Sequence, residues 1–218
     1  EFRKAERFFR ISLIFAPDRV STLSNLAASL IKLNKYDEAI HIIDYSISLY
    51  PQDEYLYFYK ANVFYSKHNY NLALDYYQKS LKINPNYKEA HNGVGVSLLS
   101  LGHAEGSILY FDKSILIDPN YIEPYYNKCT ALIKLKKWHQ AIATFNVALD
   151  INPNYEDLLL NSIATKLRIC NWKDLDEDLI KISNSNSLSN PFNLLSIFDS
   201  CRLHFYSAVK YALTDVSG

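Results

Sequence analysis

The sequence predicts an all-α protein, a solenoid of helix hairpins stacked side by side. Three observations carry this expectation. Proline recurs every 34 residues, at Pro17, Pro51, Pro85, Pro119 and Pro153. Small residues fill fixed columns between the prolines, and the apolar residues of each interval follow helical spacing twice over. The flanks repeat as well: Ile83-Asn84-Pro85-Asn86-Tyr87 returns as Ile117-Asp118-Pro119-Asn120-Tyr121 and as Ile151-Asn152-Pro153-Asn154-Tyr155.

The elements follow in order. Residues 1–19 read as the second helix of a truncated repeat, with Ala5, Phe9, Ser12 and Pro17 in the expected columns. Four complete units then run over 20–53, 54–87, 88–121 and 122–155. Their eighth position holds Ala27, Ala61, Gly95 and Cys129, and their twentieth holds Ala39, Ala73, Ser107 and Ala141. Their twenty-seventh holds Ser46, Ser80, Ser114 and Ala148. Such columns let two helix backbones approach closely. Larger residues at the twenty-fourth position (Ile43, Tyr77, Phe111, Phe145) and the thirtieth (Leu49, Ile83, Ile117, Ile151) are expected to fill the remaining space.

In unit 54–87, Tyr57, Ala61 and Phe64 form one helical stripe; Tyr70, Ala73, Leu74, Tyr77 and Leu81 form the next. Asn34-Lys35, His68-Asn69, Gly102-His103 and Lys136-Lys137 mark the turns between paired helices. Each proline ends a second helix, because it lacks an amide donor and its ring clashes with the preceding turn. A hairpin of this kind cannot bury both faces alone, so it stacks on its neighbours.

Beyond Pro153 the pattern decays. Residues 156–182 read as a degenerate helix pair, because Ile163 and Leu175 stand where small residues are required. Overfilling such contacts costs roughly 1–3 kcal/mol per site, so looser packing is expected. Residues 183–191 are rich in serine and asparagine and read as a loop. Residues 192–218 read as a C-terminal helix leading towards a further domain. The chain contains no methionine, even at position 1, and Glu1–Ile14 already has helical spacing. A longer parent protein is therefore expected.

Composition narrows the function. With 49% hydrophobic residues the chain can bury a substantial core. Its 23 lysines and arginines balance 23 aspartates and glutamates, so no global field favours nucleic acid or an anionic membrane as main partner. No apolar run approaches the roughly 20 residues that span a bilayer. Cys129, Cys170 and Cys201 cannot all pair and form no CxxC motif, which points to a reduced, cytoplasmic setting. The six histidines show no metal-ligand spacing. No catalytic residue, metal or cofactor is expected within this segment. Gly93-Val94-Gly95 lies inside a helix, without the strand and turn of a phosphate loop.

Small residues at positions 8, 20 and 27, an aromatic residue near 24 and proline at 32 resemble the tetratricopeptide repeat family over roughly residues 1–155. The resemblance implies a right-handed superhelix whose first helices line a concave, peptide-binding face. The positions carried over place Tyr55, Phe58, Tyr59, Asn62 and Tyr65 on that face in unit 54–87. Asn92 follows in the next unit, then Tyr126, Asn127 and Thr130 in unit 122–155. Aromatic rings offer large contact area at low entropic cost, and amides can bond an extended backbone. The sixth position reads Asn25, Tyr59, Gly93, Asn127 and Asn161, an interrupted version of the asparagine ladder seen in sugar-transferring relatives. A carboxylate clamp for chaperone tails is not matched: unit 54–87 has Asn62 but Phe58 where lysine is required.

A second resemblance lies in the tail. Arg168-Ile169-Cys170-Asn171-Trp172-Lys173-Asp174, Pro191-Phe192-Asn193-Leu194-Leu195 and Ala208-Val209-Lys210-Tyr211-Ala212 are similar to one particular junction. It joins the repeats to the catalytic domain in SPINDLY-type O-linked N-acetylglucosamine transferases. That resemblance implies the substrate-recruiting arm of a glycosyltransferase, with its catalytic lobes outside this chain. The alternative is a free-standing adaptor whose tail caps the last repeat. Protein or peptide segments are the expected partners in both cases, and exposed inner faces also allow a homo-oligomer.

Overall fold

The computed structural model describes residues 3–4, 6–8, 20–169 and 171. Among them every regular element is helical. The helices are α1 (Val20–Lys32), α2 (Tyr36–Leu49), α3 (Glu54–Ser66), α4 (Tyr70–Ile83), α5 (Lys88–Ser100), α6 (Ala104–Ile117), α7 (Glu123–Lys134), α8 (Trp138–Ile151) and α9 (Glu156–Arg168). Two compact units divide the chain, 1–131 and 132–218, with the boundary inside α7. In the first unit α1/α2, α3/α4 and α5/α6 form hairpins, joined through α2 on α3 and α4 on α5. In the second, α8 packs on α9. The tail from Trp172 onward, which carries most of the junction resemblance, and most of the half repeat at 1–19 lie outside the described residues.

Local chemistry sets each turn. Asn34, His68, Gly102 and Lys136 all take positive φ, near 60° for the first three non-glycine cases and 89° for Gly102. Each stands at the fifteenth position of its unit. The next residue's amide reaches five residues back: Lys35 to Leu30, Asn69 to Phe64, His103 to Leu98 and Lys137 to Leu132, at 2.8–2.9 Å. This left-handed cap satisfies carbonyls that the helix end would leave bare. At the proline turns, the side chains of Asn84, Asp118 and Asn152 accept from the amides of Asn86, Asn120 and Asn154. The asparagine or aspartate thus bridges across each proline, which supplies no donor of its own.

The predicted small columns are buried throughout. Ala27, Ala61 and Cys129, then Ala39, Ala73, Ser107 and Ala141, are wholly inaccessible. At the twenty-seventh position Ser80 and Ser114 do more than yield space. Their hydroxyls donate to the carbonyls of Glu54 and Lys88, tying the second helix to the start of the first at 2.9 Å.

Two packing expectations are corrected. Leu49 and Ile117, at the thirtieth position, are 40% and 37% exposed, because the last turn of the second helix reaches the rim of the hairpin. In α3 the fully buried residues are Leu56, Ala61 and Val63, while Tyr57 and Phe64 are half-buried. The reason is that α3 has two neighbours. Ala61 joins Ala73, Tyr77 and Val94, whereas Val63 joins Leu26, Leu30 and Ile43 of the preceding hairpin. Ile163, which stands in a small column, is buried in α9 alongside Leu159 and Leu167. Leu175 lies outside the described residues.

Candidate peptide-binding face

Within unit 1–131, first helices α3, α5 and α7 are brought together by the stacking of their hairpins. Between α3 and α5 opens a cleft of about 130 Å³, with Phe58, Asn62, Tyr65, Asn92, Tyr77 and Tyr121 on its walls. The resemblance had assigned the first four to the inner face of the first helices. It had not included Tyr77 or Tyr121.

Gly93 explains the cleft. A Cβ built at this position would stand 2.5 Å from Cε1 and Cζ of Tyr77, an impossible approach. The glycine therefore admits the Tyr77 ring from α4, and the phenol donates to Asn62 Oδ1. Burial pushes the Tyr77 hydroxyl well above its ordinary range, so it stays a donor. Phe58 packs against Tyr77 and Tyr87, with ring centroids 5.7 and 5.0 Å apart, and Tyr55 meets Tyr87 edge-on at 5.2 Å. Tyr121 is pushed up to about 12 by burial, then by the nearby carboxylates of Glu123 and Glu89. The cleft thus combines neutral rings and amide groups with one carboxylate, Glu89, on its wall.

The remaining expected residues divide. Asn127 donates from Nδ2 to Asn92 Oδ1 at 2.9 Å, so two of the asparagines bond each other across adjacent units. Tyr65 lines the cleft and shares a hydrogen bond with Ser100 at 3.3 Å. Tyr59 is half-buried against the core of the first hairpin. Thr130 bonds within its own helix to the Tyr126 carbonyl, and Tyr126 is half-buried. Asn25 is exposed on α1. Asn161 is on α9 in the second unit, where its Nδ2 donates to the Asp157 carbonyl. The broken asparagine ladder has a physical cause: at Tyr59 the position contributes to a core, and at Gly93 it makes room for another ring.

The described residues hold no cluster of histidine, cysteine or carboxylate that could bind a metal ion. Cys129 is buried and its thiol is driven upward by desolvation, which suits packing and not nucleophilic attack. No described helix is long and apolar enough to cross a membrane.

Residues 55–87 match the family model described as tetratricopeptide repeat. The chain carries this repeat and has the fold of arrays built from it. Solved structures with the same fold include YrrB, described as a TPR protein with an unusual peptide-binding site. It is 19% identical, with a TM-score of 0.62 over 86% of this chain and 96% of that one. A TPR protein of Thermus thermophilus is 18% identical with a TM-score of 0.69, covering 76% of this chain and 91% of its own. Cut9, in the APC/C hetero-tetramer Cut9–Hcn1, is 20% identical with a TM-score of 0.70, over 85% of this chain and 38% of that one. No curated protein matches the chain in sequence. At these identities the tetratricopeptide structures establish the shared fold.

Proposed function

We propose that the protein is a scaffold that binds an extended segment of a partner protein across α3, α5 and α7. The observation that carries this reading is the convergence of Phe58, Tyr77 and Tyr121 with Asn62 and Asn92 in one cleft. The rings offer contact area without a large rotamer cost, and side-chain amides can pair with a peptide backbone. The tetratricopeptide fold adds support, since YrrB is described as having a peptide-binding site. Selection of a displayed peptide library on the protein tests it. Binders should lose affinity when Phe58 and Asn62 are both replaced by alanine, with helical circular dichroism retained. Undiminished binding by that variant would move the site elsewhere.

The finer reading is the substrate-recruiting arm of an O-linked N-acetylglucosamine transferase-like enzyme in the cytoplasm. It rests on the resemblance of residues 168–212 to the repeat-to-catalytic junction. The tetratricopeptide fold is equally compatible with a free-standing adaptor. The coding sequence beyond Gly218 separates the two: an open frame of alternating strands and helices supports the transferase arm, and an early stop codon rejects it.

A further inference from the structure

The three junctions between hairpins in residues 20–131 are built alike, with one departure. At the first, the Tyr57 hydroxyl donates to the Pro51 carbonyl, and Lys60 pairs with Asp44 at 2.5 Å. At the third, the Tyr125 hydroxyl donates to the Pro119 carbonyl, and Lys128 pairs with Asp112 at 2.6 Å. At the middle junction the tyrosine is replaced by His91, whose Nε2 meets the Pro85 carbonyl at 2.8 Å. The lysine and aspartate are replaced by Val94 and Gln78.

Two consequences follow. The imidazole is shorter than a phenol, and a pocket of about 310 Å³ opens beside it, between second helices α4 and α6. The ion pair of the other junctions is absent, and Lys82 and Lys113, which lie outside that pair's positions, stand on the pocket wall with no acidic residue among its lining. Neither lysine has an ion pair among the described residues; Lys113 rests over the Tyr110 ring at 5.1 Å. His91 is only 8% exposed, and its Nδ1 has no hydrogen-bond partner. Leu81, Pro85 and Tyr110 supply an apolar floor.

We infer that this pocket, on the second-helix side of the hairpins, docks a glutamate side chain of a partner protein. Its carboxylate lies beside Lys82 and Lys113, and its methylene stem lies on Leu81 and Tyr110. Two cations over an apolar wall select a charged group on a short aliphatic stem, and reject a neutral amide of the same shape. The pocket is distinct from the cleft of the first helices, so one chain can hold partner segments on both sides.

The test uses the full chain and an acetylated, amidated peptide of alternating glutamate and alanine, with the glutamine counterpart as control. The glutamate peptide should shift the His91 imidazole resonances, and the glutamine peptide should not. Lys82→Gln with Lys113→Gln should weaken binding about tenfold, given the modest worth of each exposed ion pair. His91→Tyr restores the residue of the flanking junctions, so it should fold normally and abolish the interaction. Phe58→Ala should leave it unchanged. Equal binding of the two peptides, or full binding by His91→Tyr or by the double lysine variant, overturns the inference. So does loss of binding in Phe58→Ala, which would place the peptide in the cleft.

Discussion

Single side chains decide the character of the cleft, and Gly93 is the most consequential. Replacing it by alanine gains helix propensity but drives a methyl group into the Tyr77 ring. The expected net loss is about 1–2 kcal/mol, from overpacking partly offset by propensity, with the Tyr77 to Asn62 bond broken. Denaturant unfolding of Gly93→Ala beside Gly93→Ala/Tyr77→Leu checks this; the second change should recover part of the loss. Tyr121 gives a pH signature. Its folded hydroxyl titrates near 12 against an ordinary value of 10.0. Below about 10 both folded and unfolded chains carry the neutral phenol. Between about 10 and 12 the unfolded chain ionises first, so stability falls as pH rises. Alkaline melting of Tyr121→Phe should show a smaller decline than the parent. An equal decline would mean that this ring is solvated.

At the scale of elements, the turns between paired helices carry an avoidable cost. Lys136 adopts φ 58° where the corresponding residue of the preceding unit is Gly102. A side chain in the left-handed region costs roughly 1–2 kcal/mol, so Lys136→Gly should stabilise the protein by about 1 kcal/mol after the extra backbone entropy is counted. A raised melting temperature confirms it, and an unchanged one would show that the turn relaxes elsewhere. The sequence marked these four positions as turns from their composition. It did not show that all four share one backbone conformation, because asparagine, histidine, glycine and lysine have no common side-chain property. The bond between Ser80 and the Glu54 carbonyl was hidden for a similar reason: the column holds serine three times and alanine once, and size alone explains both.

At the scale of the molecule, stability is shared between neighbouring hairpins, since each buries apolar surface only by stacking. Ala73 sits at zero exposure where α4 meets α3 and helps form a cluster that includes Val94 of the next hairpin. Ala73→Leu should therefore cost about 1–3 kcal/mol and also speed amide exchange in α5. Exchange confined to α3 and α4 would show that the hairpins fold independently. The double change of Phe58 and Asn62 should behave in the opposite way, losing peptide affinity while exchange stays slow.

The 34-residue proline period and the small columns at positions 8, 20 and 27 determined the pairing of helices in the three hairpins of residues 20–121, because backbone approach depends on local side-chain volume. The resemblance to tetratricopeptide repeats assigned Phe58, Asn62, Tyr65 and Asn92 to the inner face of the first helices, and the tertiary structure brought the four onto one cleft. Only the tertiary structure decided that Tyr77 crosses to Gly93, that Val63 faces backward into the preceding hairpin, and that His91 stands on the wall of a pocket between α4 and α6. Those features depend on which side chains from different units meet. A periodic sequence fixes the spacing within a unit, but the fit between units is settled by the volumes and charges that come into contact when the hairpins stack.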